Sequence, residues 1–448
     1  MQIFFELNGT EYRGEAGWKD DDGFTAELIS FTDMGKWKSI PKLPEILIVR
    51  IDEARTGLLI KPFVTSGGGL NLNADSPIST STTIKANAIV EDLPWDFDFA
   101  TSIDEARIST TAMQLWRGDK NLSITFNRNR TGKGQFKHTK ISRKIALGQL
   151  VIKQNLTLPF SAHMGSLHIR TTTSTTLAYT SPRELLDCFV DVQVIEGYFD
   201  LLAAFPRRTA KISLTFAGHD SPYLMRIVCD QNEHTLDPDP LQTFFRFDVF
   251  GASGRSFDRY HANFSEYRLF QATLRHLSRE RVRLPEGFLT ACNIIETLGK
   301  NAPSSMADLL PVLDEIEEAL HEVPRLQKLF SKRIRRGYRF TSSFKDRFFY
   351  MNDFLSKLGV DVLLKHQHVI KTRGKFRHEI TRLSPKDISL MSAVTCVAWV
   401  YGMIWLCREI GIPHKAMRSA VQSERFHLLR QTGLSSWGSI EKTANKTR

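Results

Sequence analysis

The spacing of apolar residues changes near residue 255, and no other feature limits the possible fold as much. Before this point, short segments rich in Val, Ile, Thr and Phe alternate apolar with polar positions, as strands do. After it, apolar residues recur every three or four positions, as in amphipathic helices. A chain of 448 residues is long enough for two or three domains. We therefore expect an α+β protein, with a β-rich domain over residues 1–255 and an all-α domain over residues 256–448.

Five segments of the first half have the clearest strand pattern. They are Ile46–Ile51, residues 123–127, 150–158 and 167–179, and Lys211–Phe216. The Gly-rich residues 65–69, the polar residues 71–83 and the basic residues 128–144 are expected to be loops. One helix is expected over about residues 181–205, because Ser181-Pro182-Arg183-Glu184 has the form of a capping box with Pro in the first turn.

The second half predicts seven helices, over residues 266–280, 286–300, 306–336, 344–359, 360–382, 385–410 and 416–430. The sixth is the best defined, since Ser384-Pro385-Lys386-Asp387 supplies a cap, a first-turn Pro and an acid at its start, and Gly411 follows its end. Residues 390–407 form a stretch of 18 residues without a charge, and this length is at the lower limit for a helix that spans a membrane. A buried central helix is the favoured interpretation, with no membrane partner.

The excess positive charge lies in the C-terminal part of the chain. Residues 1–250 contain 27 basic and 30 acidic residues, whereas residues 251–448 contain 33 and 19, so the net charges are −3 and +14. A positively charged domain attracts polyanions such as RNA. The second half is therefore the part of the chain that we expect to bind nucleic acid.

Scattered cysteines and histidines predict neither disulfides nor a metal site. The five cysteines, Cys188, Cys229, Cys292, Cys396 and Cys407, form no CxxC pair, and this favours a reducing, cytoplasmic location. Residues 1–5 resemble a first strand rather than a secretion signal. His366 and His368 would point about 200° apart on a helix and lack a third ligand. We expect neither a metal nor a cofactor.

A basic stretch over residues 325–347 contains nine Lys or Arg residues and one acid, Asp346. Tyr338, Phe340 and Phe344 are interleaved with them. Such a surface can bind phosphates and stack unpaired bases. Its central arginines, Arg333, Arg335 and Arg336, are candidate RNA contacts. The alternative is a solvated helix face whose aromatic residues lie in the core.

A second candidate is an Arg-x4-His arrangement from Arg373 to His378. The chain contains three Arg-x(4 to 6)-His matches, about the number that chance predicts, so the pattern alone carries little weight. The other two, Arg255 to His261 and Arg408 to His414, lie in a predicted loop and across a helix end. Only Arg373 and His378 lie in a basic helical region just before a capped helix.

Three segments together resemble a known protein family. They are Val369 to His378 with the long helix that follows to residue 412, residues 288–296 with the acidic Glu296, and residues 181–216. They are similar to the HEPN ribonuclease superfamily and, more narrowly, to the ApeA-like anti-phage proteins. This resemblance implies a β-rich sensor or regulatory domain, at which a phage-derived trigger acts, followed by a HEPN-like helical bundle.

The resemblance also implies metal-independent RNA cleavage in abortive infection. His378 would exchange protons with the ribose 2′-OH and the leaving oxygen, and Arg373 would hold the phosphate, with Glu296 supporting the site. Lys371, Lys375 and Arg377 would contact the RNA backbone. Members of the superfamily commonly form homodimers in which two such motifs line one cleft.

One position departs from the family pattern, since Gly374 stands where a polar Asn is usual. Residues five apart on a straight helix diverge by about 140°, so Arg373 and His378 converge only if the helix begins or kinks between them. Glycine would permit such a kink. Two alternatives to the ribonuclease remain, a non-catalytic RNA-binding module and a scaffold protein whose apolar helix packs against a partner.

Overall fold

A computed structural model describes most of the chain. The described residues are 1–19, 23–31, 42–52, 55–71, 79–109, 122–126, 132–136, 140–157, 170–203, 211–227, 254–278, 284–302, 310–329, 343–360, 362, 364–378 and 384–422. The chain divides into two compact units, Met1–Phe264 and Ser265–Arg448. The first contains a large antiparallel sheet and the second is helical, which confirms the α+β class.

Sixteen strands are described in the first unit. They are β1 (Gln2–Leu7), β2 (Thr10–Lys19), β3 (Gly23–Phe31), β4 (Ile46–Ile51), β5 (Arg55–Ile60), β6 (Phe63–Asn71), β7 (Ser79–Ala86), β8 (Ala88–Leu93), β9 (Ile103–Ser109), β10 (Leu122–Phe126), β11 (Gly132–Phe136), β12 (Lys140–Ile145), β13 (Gly148–Thr157), β14 (Arg170–Arg183), β15 (Lys211–Phe216) and β16 (Tyr223–Ile227). Fourteen form one sheet in the order β12-β13-β14-β9-β15-β16-β8-β5-β4-β1-β2-β3-β7-β6, and β10 pairs with β11 in a separate hairpin.

All three predicted loops contain strand residues. The Gly-rich segment lies in β6, which pairs with β7 through irregular register, and the end of the polar segment 71–83 begins β7. Part of the basic segment 128–144 forms β11 and β12. Glycine and polar composition favours loops, but pairing with the neighbouring strand in the sequence overrides this local preference.

The core of the first unit follows from strand alternation. In β4, Leu47, Val49 and Ile51 are buried, whereas Ile48 and Arg50 between them are exposed. This period of two is expected for a sheet that covers a core on one face. The buried side chains join a cluster contributed mainly by β1 to β5, β7 and β8.

The helix of the first unit, α1 (Leu185–Ala203), begins four residues later than the predicted capping box. Ser181 and Pro182 belong to the end of β14, which continues to Arg183 beside a bulge in its pairing with β9. The capping-box prediction was therefore wrong, because the sheet partners of β14 hold this segment extended.

The first unit extends nine residues beyond the predicted boundary at residue 255. A second helix, α2 (Gly254–Ala262), packs against α1 and β12. Tyr198 of α1 bonds to Ser256 at 2.6 Å, and the Ala146 amide donates to Asp258 at 2.9 Å. These contacts attach α2 to the sheet unit despite its helical sequence.

The remaining described helices are α3 (Phe264–Ser278), α4 (Leu284–Leu298), α5 (Leu310–Ala319), α6 (Pro324–Leu329), α7 (Phe344–Ser356), α8 (His366–His378), α9 (Pro385–Glu409) and α10 (His414–Val421). The single helix predicted over residues 306–336 is wrong, since α5 ends before Pro324 starts α6. A proline ring cannot continue a helix interior but suits a first turn.

The long helix α9 is central to the second unit. Its Ser384 cap accepts from the Asp387 amide at 3.2 Å, as the sequence predicts. Gly402 lies where an added Cβ would come within 2.5 Å of Leu274, so α3 and α9 approach closely. Among the described helices only α9 is long and apolar enough to cross a membrane by composition, and 78% of its most apolar stretch is buried in the protein.

Candidate functional site

The best-defined polar contact of the helical unit joins Arg373 on α8 to Glu296 on α4. Arg373 Nη2 donates to Glu296 Oε2 at 3.2 Å, and Arg373 Nη1 donates to Glu296 Oε1. The two side chains are 21% and 30% exposed, so the pair lies at the border between core and solvent. Two parallel hydrogen bonds fix the plane of the guanidinium as well as its position.

A third helix, α7, also contacts this pair. Arg347 donates through Nη1 to the backbone oxygen of Glu296 at 2.9 Å. The guanidinium carbon of Arg373 lies 5.4 Å from the ring centroid of Phe344, within cation–π distance. The backbone of Glu296 is thus held by Arg347. The guanidinium of Arg373 is held by its ion pair with Glu296 and by the contact of its planar face with the Phe344 ring.

A buried polar contact fixes α8 against the start of α9. Thr372 Oγ1 lies 3.4 Å from Asp387 Oδ1, and both residues are buried. The other oxygen of Asp387 accepts from the Ser384 amide and hydroxyl in the capping box. The residue next to Arg373 is therefore connected to the cap that begins α9.

The ionisation states at this site follow from burial and pairing. The hydrogen bond to Glu296 raises the pKa of Arg373 above its ordinary value, against the opposing effect of burial. Burial raises the pKa of the nearby Cys292 thiol to about 12, although the charge of Arg373 acts in the opposite direction. Cys292 is thus a neutral packing residue and not a nucleophile at physiological pH.

The residue that follows Arg373 on α8 is exposed among the described residues. Gly374 is exposed, and a Cβ added to it would meet no atom within 4 Å. No new helix begins between Arg373 and His378, because α8 continues from His366 to His378 through Gly374. Within one chain, the backbone positions of Arg373 and His378 therefore diverge by about 140° around the helix.

The predicted site residues fall into three groups. Arg373 and Glu296 are brought together, and Lys371 is exposed on the same helix as Arg373. Lys375, Arg377 and His378 belong to the last turns of α8, and their side chains lie outside the described part of the structure. The three candidate arginines of the basic stretch, Arg333, Arg335 and Arg336, also lie outside the described residues.

Sequence reasoning placed Phe344 and Arg347 in the basic stretch and did not single out Thr372, so it missed that these residues hold the Arg–Glu pair in place. A signal for the first two was present, since Ser343 and Asp346 form a capping box with bonds of 2.8 to 3.2 Å at the start of α7. The Ser-x-x-Asp pattern is readable in the sequence and places Phe344 and Arg347 in the first turn. Which distant helix this turn contacts is not readable locally.

The described residues contain no group of three or more His, Cys, Asp or Glu side chains that could hold a metal ion. Of the two histidines tested as a metal pair, His366 lies against an aromatic ring, with its centroid 5.1 Å from that of Phe349.

The arrangement is suited to binding an anion. A guanidinium has five N–H donors, and the pair with Glu296 occupies two of them. The remaining donors can contact a phosphate, while the carboxylate keeps their direction fixed. Comparisons with protein-family models, curated proteins and solved structures give no match for this chain.

Proposed function

We propose that this protein is a metal-independent endoribonuclease of the HEPN type, similar to the ApeA-like anti-phage proteins. The observation that carries the proposal is the fixed guanidinium of Arg373, which Glu296 orients beside the open surface at Gly374. A preoriented cation that contacts solvent is what stabilisation of a phosphate transition state requires. The helical arrangement of the second unit is then a HEPN-like bundle.

In the proposed reaction His378 takes the proton of a ribose 2′-OH, and the 2′-oxygen attacks the adjacent phosphorus. The bond from phosphorus to the 5′-oxygen breaks, and the leaving oxygen receives a proton. The products are a 2′,3′-cyclic phosphate and a 5′-OH. Arg373 stabilises the charge on the non-bridging oxygens, and no metal is required.

The divergence of Arg373 and His378 around α8 favours a site built from two chains. In a homodimer through the helical unit, the Arg373 of one copy and the His378 of the other can reach one phosphate. The basic stretch with Arg333, Arg335 and Arg336, together with Lys371, Lys375 and Arg377, then binds the flanking RNA backbone.

We further propose that the N-terminal unit senses a phage-derived trigger and restrains the nuclease in the cytoplasm. The charge difference supports such a division of labour, because only the C-terminal part carries the excess positive charge that attracts RNA. An unrestrained ribonuclease would harm its own cell, so infection would have to release it.

A second candidate function is RNA binding without cleavage. Its support is the same pair, since Arg373 is neutralised by Glu296 and the backbone positions of Arg373 and His378 diverge around the continuous helix α8. In this case the pair stabilises the packing of α8 on α4. Lys371 and the basic stretch alone would then bind RNA.

Cleavage of end-labelled RNA in excess EDTA tests the proposal. Wild type should cleave and leave cyclic phosphate ends, whereas His378→Ala should lose about 10²- to 10⁴-fold in rate. His321→Ala, at an exposed histidine of the same unit, is the matched control and should cleave normally. Binding without cleavage would favour the second candidate, and absence of both would favour a scaffold protein.

A further inference from the structure

Two side-chain contacts join α7 and α8 in antiparallel order, and together they form a seam that extends away from Arg373. At one end Phe344 of α7 lies under Arg373 of α8, and at the other end Phe349 of α7 contacts His366 of α8. Higher numbers on α7 meet lower numbers on α8, as antiparallel neighbours must. The seam therefore has an aromatic ring at each end.

The two rings differ in how much solvent they contact. Phe344 is partly covered, whereas half of the Phe349 side chain, 50%, is exposed. The ring of His366 is tilted by 53° relative to that of Phe349, so the contact does not cover the ring as a parallel stack would. A large exposed aromatic side chain at this position is available for stacking with a partner.

A positive charge lies beside the Phe349 ring. Lys345 Nζ is 5.9 Å from the centre of the ring. Among the described residues of α7, Asp346 completes the cap and Asp353 pairs with Lys357 at 2.6 Å. An exposed aromatic face beside a lysine is suited to a base that is attached to phosphates.

We propose that Phe349 is a base-stacking subsite for single-stranded RNA whose phosphate is held at Arg373. This inference rests on the proposed function and adds a contact to a base. Bases in single strands stack on aromatic side chains, and the lysine beside the ring, Lys345, attracts the adjoining phosphates. The subsite thus favours unpaired RNA over duplex, in which the base faces are covered.

The distance along the seam sets which nucleotide is stacked. His366 and Arg373 are seven residues apart on α8, which is about 10 Å at about 1.5 Å per residue. This length corresponds to about three stacked base steps at about 3.4 Å each, or fewer in an extended strand. The stacked base therefore lies within about three nucleotides of the phosphate at Arg373.

A competing explanation is that Phe349 and the exposed Ile370 form an interface between two copies of the chain. Lys345, which lies 5.9 Å from the ring, argues against this, because a symmetric contact at this patch would bring the two copies' lysines together. The RNA-binding experiment below separates the two explanations.

The test uses the full-length protein and a fluorescent 2′-O-methyl oligonucleotide of about ten nucleotides, which cannot be cleaved because it lacks the 2′-OH. Phe349→Ala should weaken binding about 5- to 100-fold, and Phe349→Trp should retain it. Phe349→Leu, which keeps most of the apolar volume without the flat ring, should weaken binding like the alanine variant and serves if that variant folds poorly. Phe99→Ala, at an exposed phenylalanine of the first unit, is the matched control.

A position scan with abasic nucleotides completes the test. One abasic position within about three nucleotides of the bound phosphate should weaken binding to wild type but not weaken it further in Phe349→Ala. Normal binding by Phe349→Ala and Phe349→Leu, with weaker binding by Arg373→Ala, would overturn the subsite but leave the RNA site intact. A change of oligomeric state in Phe349→Leu would assign the ring to an interface, and wild type that binds no RNA would refute the proposed function itself.

Discussion

Arg373 and Glu296 are joined by two hydrogen bonds across 77 residues of sequence. The pair has two opposite effects on RNA, since it orients the guanidinium but also places a negative charge beside it. Binding needs the positive charge, whereas stabilisation of a transition state needs the orientation. Substitutions at Glu296 can therefore separate the two.

Glu296→Ala should reduce cleavage while leaving RNA binding unchanged or tighter. Removing the carboxylate unmasks the charge of Arg373 but releases its orientation, and misplacement by about 1 Å can cost about 10²-fold in rate. Single-turnover cleavage at saturating RNA and binding of uncleavable RNA should be measured together. Glu315→Ala, at an exposed acid of α5, is the control for charge alone. Equal loss of binding and cleavage would indicate a structural role for Glu296.

Arg373→Lys should fail to restore the activity that Arg373→Ala loses. Lysine keeps the charge but cannot form two parallel hydrogen bonds to a carboxylate and still direct further donors at a phosphate. We expect both variants to cleave about 10²- to 10³-fold more slowly than wild type. Full activity in the lysine variant would show that charge alone suffices.

Neutralising Arg333, Arg335 and Arg336 together should weaken RNA binding and reduce its salt dependence. Each lost phosphate contact removes about one from the slope of log affinity against log salt, so the slope should fall by about two to three. Fluorescence titrations over a range of salt concentrations measure it. An unchanged slope would favour the alternative interpretation, in which the basic stretch is a solvated helix face that does not bind RNA.

Asp191→Asn should destabilise the first unit by about 1.5–3 kcal/mol at neutral pH. Burial alone would raise the pKa of Asp191, but hydrogen bonds with His261 at 3.2 Å and Arg183 at 2.9 Å outweigh it and lower that pKa. Asp187→Asn is the control, because Asp187 contacts the same Arg183 at 3.3 Å from an exposed position.

The acid dependence of that difference has a defined sign. A carboxylate with a lowered native pKa stabilises the folded state fully above its unfolded value, about 3.9, and loses this contribution as the pH falls through the native pKa. The gap between wild type and Asp191→Asn should therefore be largest above about pH 5 and shrink below about pH 4. Urea unfolding across this range checks it, and a pH-independent gap would contradict the assignment.

Two glycine substitutions should have opposite effects on stability. An added Cβ at Gly299 would lie 2.6 Å from the Cβ of Arg347, so Gly299→Ala should force α4 and α7 apart and cost about 1–3 kcal/mol. At Gly374 the same atom meets open space inside a helix, so Gly374→Ala should stabilise by about 0.5–1 kcal/mol. Thermal unfolding of both variants tests the two predictions, and stabilisation by Gly299→Ala would contradict the close packing of α4 and α7.

Local sequence patterns predicted a helix start correctly where that start depends only on neighbouring residues. The cap of α9 at Ser384 and Asp387 is formed as predicted, because a capping box needs only its own four residues. The capping box proposed at Ser181 failed, since this segment ends the strand β14, whose pairing with β9 extends to Arg183. Pairing with distant strands leaves no trace in a four-residue pattern.

The residues of the candidate site also fall into those that the sequence could name and those that it could not. Arg373 and Glu296 could be named from the sequence through their resemblance to a family, and the structure brings them together. Phe344 and Phe349 could not be assigned, because the side of α7 that meets α8 depends on packing between helices. The continuation of α8 through Gly374 likewise depends on its neighbours, since glycine permits a break in a helix without requiring one.

The burial of α9 also bears on how the chain is made. Helices α3, α4 and α8, which pack against α9, all precede it in the sequence. A chain emerging from the ribosome folds from its N-terminal side, so these partners are already synthesised when the most apolar helix appears. The segment most similar to a membrane span is therefore exposed in the nascent chain only until it packs against helices that have already been synthesised.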